Sequence, residues 1–317
     1  MEEEEEVRRM ILDIKSKYSL KYIVVENPQN FDVFSPLTHQ FCTVLSKNGM
    51  SCYNSKGVWV AHGEISYIGG VCEDGELFPA VSDGKWCFIT SEGKRKLVPD
   101  DDYDYLGPIR EGIAAAKQGD KFFYVDTSFS KISPDYSNAY NFVEGKAAVL
   151  EDGHIKLVNS AFETVAETPF SGVVSDAYGY TDHFGTSVFT KGKTYWLCDS
   201  SGAKIADFKA DYIGLPMESG AAVEFKRKNL YGFVNPTNGE IIIEPKYEEA
   251  GAFCRGLAPV KTDGKWGFID EKGTEIVSPT FLFASPLSND GTAWVQNEAG
   301  FALLSFYYLS EEEKNDR

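Results

Sequence analysis

Asp100, Asp102 and Asp104 occupy alternate positions of the run Asp100-Asp101-Asp102-Tyr103-Asp104-Tyr105, and Glu111 falls at its twelfth position. Carboxylates at the first, third, fifth and twelfth positions have the spacing of a calcium loop, which also needs glycine at the sixth position and a helix on either side. Tyr105 fills that sixth position and no flanking helix is predicted, so the run reads as a solvated acidic connector. The four histidines, His39, His62, His154 and His183, lack the His-Glu-x-x-His spacing of a zinc enzyme, and only Asp182-His183 joins an acid to an imidazole. No Gly-x-Ser-x-Gly elbow presents a nucleophile. Among 48 Asp and Glu residues some pair falls at a glycosidase-like separation by chance, and no glycine-rich loop precedes a helix to cradle phosphate. Catalytic residues, metal ligands and cofactor contacts are therefore not assigned.

What remains is chemistry of recognition. Asp100, Asp102, Tyr103 and Tyr105 mix carboxylates with rings, and Tyr178, Tyr180 and His183 do so in the longest variable segment. Tyrosine adds contact area with a polar tip, so these two loops are the candidate recognition elements. The competing reading is that their rings cover the ends of a core.

The elements that must position such loops repeat along the chain. Met50, Trp86, Phe122, Ile155, Tyr195, Tyr231, Trp266 and Phe301 form a column with steps of 36, 36, 33, 40, 36, 35 and 35 residues. Two positions on, a second column runs Cys52, Phe88, Tyr124, Leu157, Leu197, Phe233, Phe268 and Leu303. A period of two between apolar residues marks a strand, and Trp86, Phe88, Tyr231, Phe233, Trp266 and Phe268 read as its core. The next position is apolar as well (Ile89, Val125, Val158, Cys198, Val234, Ile269), so this strand is predicted to be covered on both faces. A polar column follows, including Thr90, Asp126, Asn159, Asp199, Asn235 and Asp270, short side chains that hydrogen-bond to their own turn backbone. Upstream, glycine-x-small-x-apolar segments such as Gly256 to Val260 predict a preceding strand joined by the turn Thr262-Asp263-Gly264-Lys265. Downstream, Glu240 to Ile243 and Glu275 to Val277 predict a third strand ended by Pro245 and Pro279. Pro245 to Ala250 adds a short fourth strand in this reading.

Gly-Leu-Ala-Pro-Val at 256–260, Asp-Gly-Lys-Trp-Gly-Phe-Ile-Asp at 263–270 and Gly-x-Glu-Ile-Val-x-Pro at 273–279 together resemble the WG-containing, or KWG, repeat. The likeness is sharp over 223–295 and fair over 72–100, while 116–205 replaces tryptophan with Phe122, Ile155 and Tyr195 and the residue after it with Phe123, Lys156 and Trp196. The resemblance implies an all-β repeat domain with no catalytic residues to carry over and no defined ligand.

About eight small antiparallel meanders are expected, arranged as a closed or nearly closed propeller-like toroid, with an open β-solenoid as the alternative. Half-units at both ends, Lys21 to Phe34 and Gly291 to Phe306, suit closure by strand exchange between the termini. The expected organisation is an N-terminal amphipathic helix within 1–20, the repeat domain over 21–306 and a charged tail over 307–317. Val7, Met10, Ile11, Ile14 and Tyr18 carry the helical spacing. A net charge of −17 disfavours nucleic acid, and no run of eighteen apolar residues marks a membrane span. The six cysteines form no Cys-x-x-Cys pair and read as buried thiols of a cytoplasmic protein, with Cys42 and Cys52 placed to face each other across the first hairpin. The function that follows is a non-catalytic scaffold for a protein partner. The alternatives are a carbohydrate or cell-wall binding module and, further off, a hydrolase with a site in the central funnel.

Overall fold

The computed structural model describes residues 18–24, 31–36, 41–46, 49–54, 59–61, 65–90, 92–174, 185–288, 291–298 and 300–308, with backbone alone for the strands before residue 65. Every regular element among them is a β-strand, and the strands pair into eight separate antiparallel sheets. The seventh sheet shows the plan, with Glu249–Ala250, Leu257–Thr262, Lys265–Asp270 and Glu275–Phe281 hydrogen-bonded in that order. Thr262 pairs with Lys265 across a two-residue turn, where Asp263 (φ 50°) and Gly264 (φ 76°) supply the left-handed pair whose twist matches the strands. At the other end of the third strand, Asp270 Oδ1 accepts the N–H groups of Lys272 and Thr274, both at 2.9 Å. Asp126, Asn159 and Asp199 do the same in their own sheets, as the polar column predicts.

Neighbouring sheets cover each other. Phe268 is 0 % exposed and Ile269 1 %, although consecutive residues of a strand point to opposite faces. Phe268 packs toward the eighth sheet with Val277, Ala293, Val295 and Leu304, and Ile269 toward the sixth with Phe233, Ile243 and Tyr247. From the third sheet to the eighth the first strand is the shortest, only Glu249–Ala250 here, and its backbone continues the ladder through Gly251 N–H donating to Pro259 O.

The tryptophan-glycine phrase has a physical cause. Across from Gly267 the fourth strand bulges, its partner residues jumping from Phe281 opposite Trp266 to Val277 opposite Phe268. A Cβ at Gly267 would lie 2.4 Å from Val277 O and 2.9 Å from Pro279 N, and at Gly232 2.4 Å from Ile243 O and 2.7 Å from Pro245 N. Glycine and proline therefore form one device, the first admitting backbone that the second, lacking an N–H, leaves unladdered. This corrects the expectation that the prolines end the strands: Ile241–Tyr247 and Glu275–Phe281 run through them. Residues beyond Pro245 thus continue the same strand to Tyr247, and Glu249–Ala250 opens the next sheet. Where the glycine is replaced the bulge is not opposite it, with Trp196 pairing directly with Lys209 and Lys156 with Glu167. The third sheet has three strands; its fourth position is filled by bridges from Phe122 to Tyr136 and from Val125 to Lys131.

The eighth sheet draws on both ends of the chain. Tyr18–Val24 pairs antiparallel with Gly300–Tyr308, Tyr18 opposite Tyr308 and Val24 opposite Ala302, and so supplies the strand that the last half-unit lacks. The expected N-terminal helix falls on residues 1–17, outside those described, but Tyr18, assigned to it by spacing, opens a strand. The register also corrects the cysteine pair, since Cys42 stands opposite Tyr53 and Cys52 opposite Thr43.

Two substitutions separate the causes. Gly267→Ala should cost about 1–3 kcal/mol or more by overpacking, against about 1 kcal/mol for Gly264→Ala, where only the positive φ is lost and no atom lies within 4 Å. Trp266→Ala, from a side chain 8 % exposed, should cost about 3–5 kcal/mol. Denaturant unfolding of the three variants checks the order, and a Gly267→Ala protein as stable as the parent would overturn the glycine-proline account.

Candidate functional site

Asp100, Asp101, Asp102 and Asp104 are exposed on the connector between the second and third sheets. Their carboxylates do not converge. Asp102 pairs with Lys85 at 2.9 Å, Asp104 accepts Gly119 N–H at 2.7 Å, and Glu111 accepts Gly145 N–H at 3.0 Å. Among the described residues no group of three His, Cys, Asp or Glu side chains is placed to hold a metal ion. The two tyrosines of the loop anchor it. Tyr103 donates its hydroxyl to Phe129 O at 3.0 Å and leans on Phe123, while Tyr105 lies between Trp86 and Phe122 at centroid distances of 5.4 and 6.3 Å. Burial pushes the Tyr105 phenol up to about 12. Tyr178, Tyr180 and His183 lie outside the described residues.

Tyr105 belongs to a wider pattern. It stands opposite Lys117, which stands opposite Phe122, so the first-strand residue, a central residue and the tryptophan-column residue form one row on one face of the sheet. The same row reads Tyr212, Lys226 and Tyr231 in the sixth sheet and Glu249, Lys261 and Trp266 in the seventh. Rings from neighbouring sheets meet along it. Tyr67, Trp86, Tyr105 and Phe122 form one run, and Tyr195, Tyr212 and Tyr231 another with centroids 5.5 and 6.1 Å apart. Trp86, Phe122, Tyr195 and Tyr231 of the tryptophan column are half-buried, less enclosed than Phe88, Tyr124, Leu197 and Phe233 two positions on, whereas Ile155 and Trp266 of the same column are buried.

Beside the second run sits a group that the sequence patterns passed over. Glu224, on the strand Val223–Arg227, stands opposite Phe233 and is 7 % exposed. The residues opposite the equivalent positions are Thr43, Pro79, Ala115, Ala148, Val188, Pro259 and Trp294, so Glu224 is the one charged residue in a column that is otherwise apolar but for Thr43. That contrast is the signal that would have found it, but this unit lacks the glycine-x-small-x-apolar spelling that marks the strand elsewhere. The carboxylate folds over Gly214 on the first strand's extension, where a Cβ would meet Oε1 at 2.2 Å. Tyr212 donates its hydroxyl to Oε1 at 3.3 Å, and Oε2 has no hydrogen-bond partner. Burial drives the Glu224 carboxyl up to about 7, against which its own N–H and the Tyr212 hydroxyl pull weakly. The nearby carboxylate, together with burial, pushes the Tyr212 phenol well above its ordinary range. The thiols of Cys72 and Cys198 are likewise driven up to about 12 by burial, which leaves them poor nucleophiles.

The sign of the Glu224 effect is definite. Between the ordinary carboxyl value of 4.5 and about 7, the folded state holds a proton that the unfolded chain has released. Stability therefore falls as pH rises through that window, by on the order of 3 kcal/mol once the group ionises. Glu224→Gln should raise the melting temperature at about pH 8 and leave it nearly unchanged near pH 5; equal shifts at both would show that the carboxyl is not buried and neutral.

Comparison with known proteins places this geometry. The model of the WG containing repeat matches residues 102–122, 123–153, 231–266 and 266–299. No curated protein matches the chain. Among solved structures it is similar to the C-terminal WD40 domain of Sif2, at 10% identity and TM-score 0.57, covering 92% of this chain and 99% of that one. It is also similar to a eukaryotic initiation factor, at 8% identity and TM-score 0.55, covering 91% and 96% respectively. At these identities the likeness shows the fold, one of small antiparallel sheets arranged like the blades of a propeller. The four repeat matches, the last two of which contain the glycine-proline device, support a WG-repeat β family for this chain.

Proposed function

We propose that this protein is a non-catalytic scaffold that presents a fixed acidic rim to a basic or mixed-charge protein partner. The observation that carries the reading is the Asp100–Asp104 connector. Its carboxylates are exposed while Tyr103 and Tyr105 hold its backbone against the second and third sheets. Ordered charge of this kind steers a partner of opposite sign and loses little conformational entropy on docking. The chain's net charge of −17 supports the same preference. In this reading the eight sheets close into a toroid, supported by the pairing of Tyr18–Val24 with Gly300–Tyr308. The protein is cytoplasmic in the same reading, supported by the burial of Cys72, Cys87, Cys198 and Cys254. A carbohydrate module draws less support, because the Tyr103 and Tyr105 rings are engaged in packing and offer no open platform.

Capture of a protein partner by the full-length chain should weaken at high ionic strength. It should drop several-fold for the combined Asp100→Asn, Asp101→Asn and Asp102→Asn variant. A partner held equally by parent and variant would remove the rim from recognition, and turnover of any substrate by the purified chain would overturn the non-catalytic reading.

A further inference from the structure

A buried carboxylate with an empty acceptor is costly unless something pairs with it. Glu224 has no ion pair among the described residues, its Oε2 has no hydrogen-bond partner, and from other residues its Oε1 receives the 3.3 Å bond from Tyr212. Two lysines of the neighbouring rows are otherwise engaged. Lys226 places Nζ over the Tyr231 ring at 5.2 Å, and Lys261 pairs with Glu249 at 2.6 Å. The position over Gly214 is filled by the carboxylate itself, so the room it occupies exists only because residue 214 has no side chain. Tyr212 and Tyr231 lie within electrostatic reach of the carboxylate, and the half-buried rings of Tyr195, Tyr212 and Tyr231 form a run beside it.

We propose that Glu224 and the tyrosines 195, 212 and 231 form a receptor for an alkylammonium group. The chemistry matches on three counts. An ammonium donates to Oε2 and supplies the charge the carboxylate lacks. Tyrosine faces attract a cation through their quadrupole, and their hydroxyl oxygens accept its remaining N–H bonds. A guanidinium fits less well, because its fork calls for two free carboxylate oxygens and Tyr212 already engages one. Binding to the neutral carboxyl releases one proton, so the step is R–NH3+ with Glu–COOH going to the ion pair and H+. The ionisable groups around the carboxylate are Tyr212, Lys226 and Tyr231 on its own sheet, with Tyr195 on the fifth sheet and Glu249 on the seventh acting on Tyr231. The ammonium has two possible sources, a lysine side chain of a protein partner or a free small amine. In the first case the site deepens the scaffold reading and rests on it, whereas a free amine tests the site alone.

The experiment is calorimetric titration of the full-length chain with methylammonium, with a single-lysine peptide and with the same peptide acetylated at Nε. Binding of methylammonium alone assigns a free amine, and binding of the lysine peptide, cut at least about tenfold by acetylation, assigns a partner's side chain. Either supports the receptor even where the acidic rim proves idle. Glu224→Gln should abolish both. On the unmodified protein, affinity should also fall about tenfold per pH unit below the titration of the carboxyl, with proton release detected in buffers of different ionisation enthalpy. Absence of binding by both ammonium probes, equal binding by Glu224→Gln, or an affinity independent of pH would each overturn the proposal.

Discussion

A four-stranded sheet of six-residue strands has two apolar faces and cannot cover either by itself. Phe268 and Ile269, adjacent in sequence and both within 1 % of full burial, state the constraint in its simplest form. Each face must be closed by another sheet, so a single unit has no stable existence and the chain is organised by stacking. The ends of such a stack would expose an apolar face. Pairing of the first described strand with the last binds the two termini into one sheet, which hydrogen-bonds a strand edge that would otherwise invite other chains.

That constraint explains which features were legible in the sequence. The two apolar columns, the polar turn column and the Asp-Gly hairpin are repeated because every unit meets the same neighbours, and each appears where its spacing placed it. The role of Pro245 and Pro279 was not legible, because a proline's usual meaning in a strand is local, whereas here it depends on Gly232 and Gly267 across the ladder. Only the register joins the two. The loop tyrosines were misleading in a similar way: Tyr105 lies in a polar run, yet its ring is enclosed by Trp86 and Phe122 from two different sheets. Contacts between units leave no mark on the sequence around either residue.

The division of labour within a unit also follows. The third strand lies between two others and is covered on both faces, so its residue types are confined. The first strand is two residues long in most units and borders no further strand of its own sheet, and its row position varies freely: Tyr105, Asn138, Gly172, Tyr212, Glu249 and Phe283. Residue types are accordingly freest along those short strands and the connectors between sheets, where the packing demand is weakest.

Glu224 shows how little is needed to place an ionisable group inside such a sheet. The strand that carries it keeps its register, since Val223, Phe233 and Phe225 remain 0 % exposed on either side. A single carboxylate in a column with no other charged residue is tolerated because Gly214 yields the space for it and Tyr212 supplies one hydrogen bond. In the seventh sheet the same column holds Pro259, and the corresponding glycine, Gly251, is instead filled by the rings of Pro259 and Pro286. The two arrangements differ in what occupies the space over a side-chain-free first strand: two proline rings pack it dry, whereas a carboxylate leaves an acceptor unsatisfied. The repeat thus provides a set of equivalent positions over its first strands. Over Gly69 and Gly251 they are closed by proline rings and over Gly107 by the Asn141 amide, whereas the one over Gly214 received an ionisable group and with it a desolvation cost.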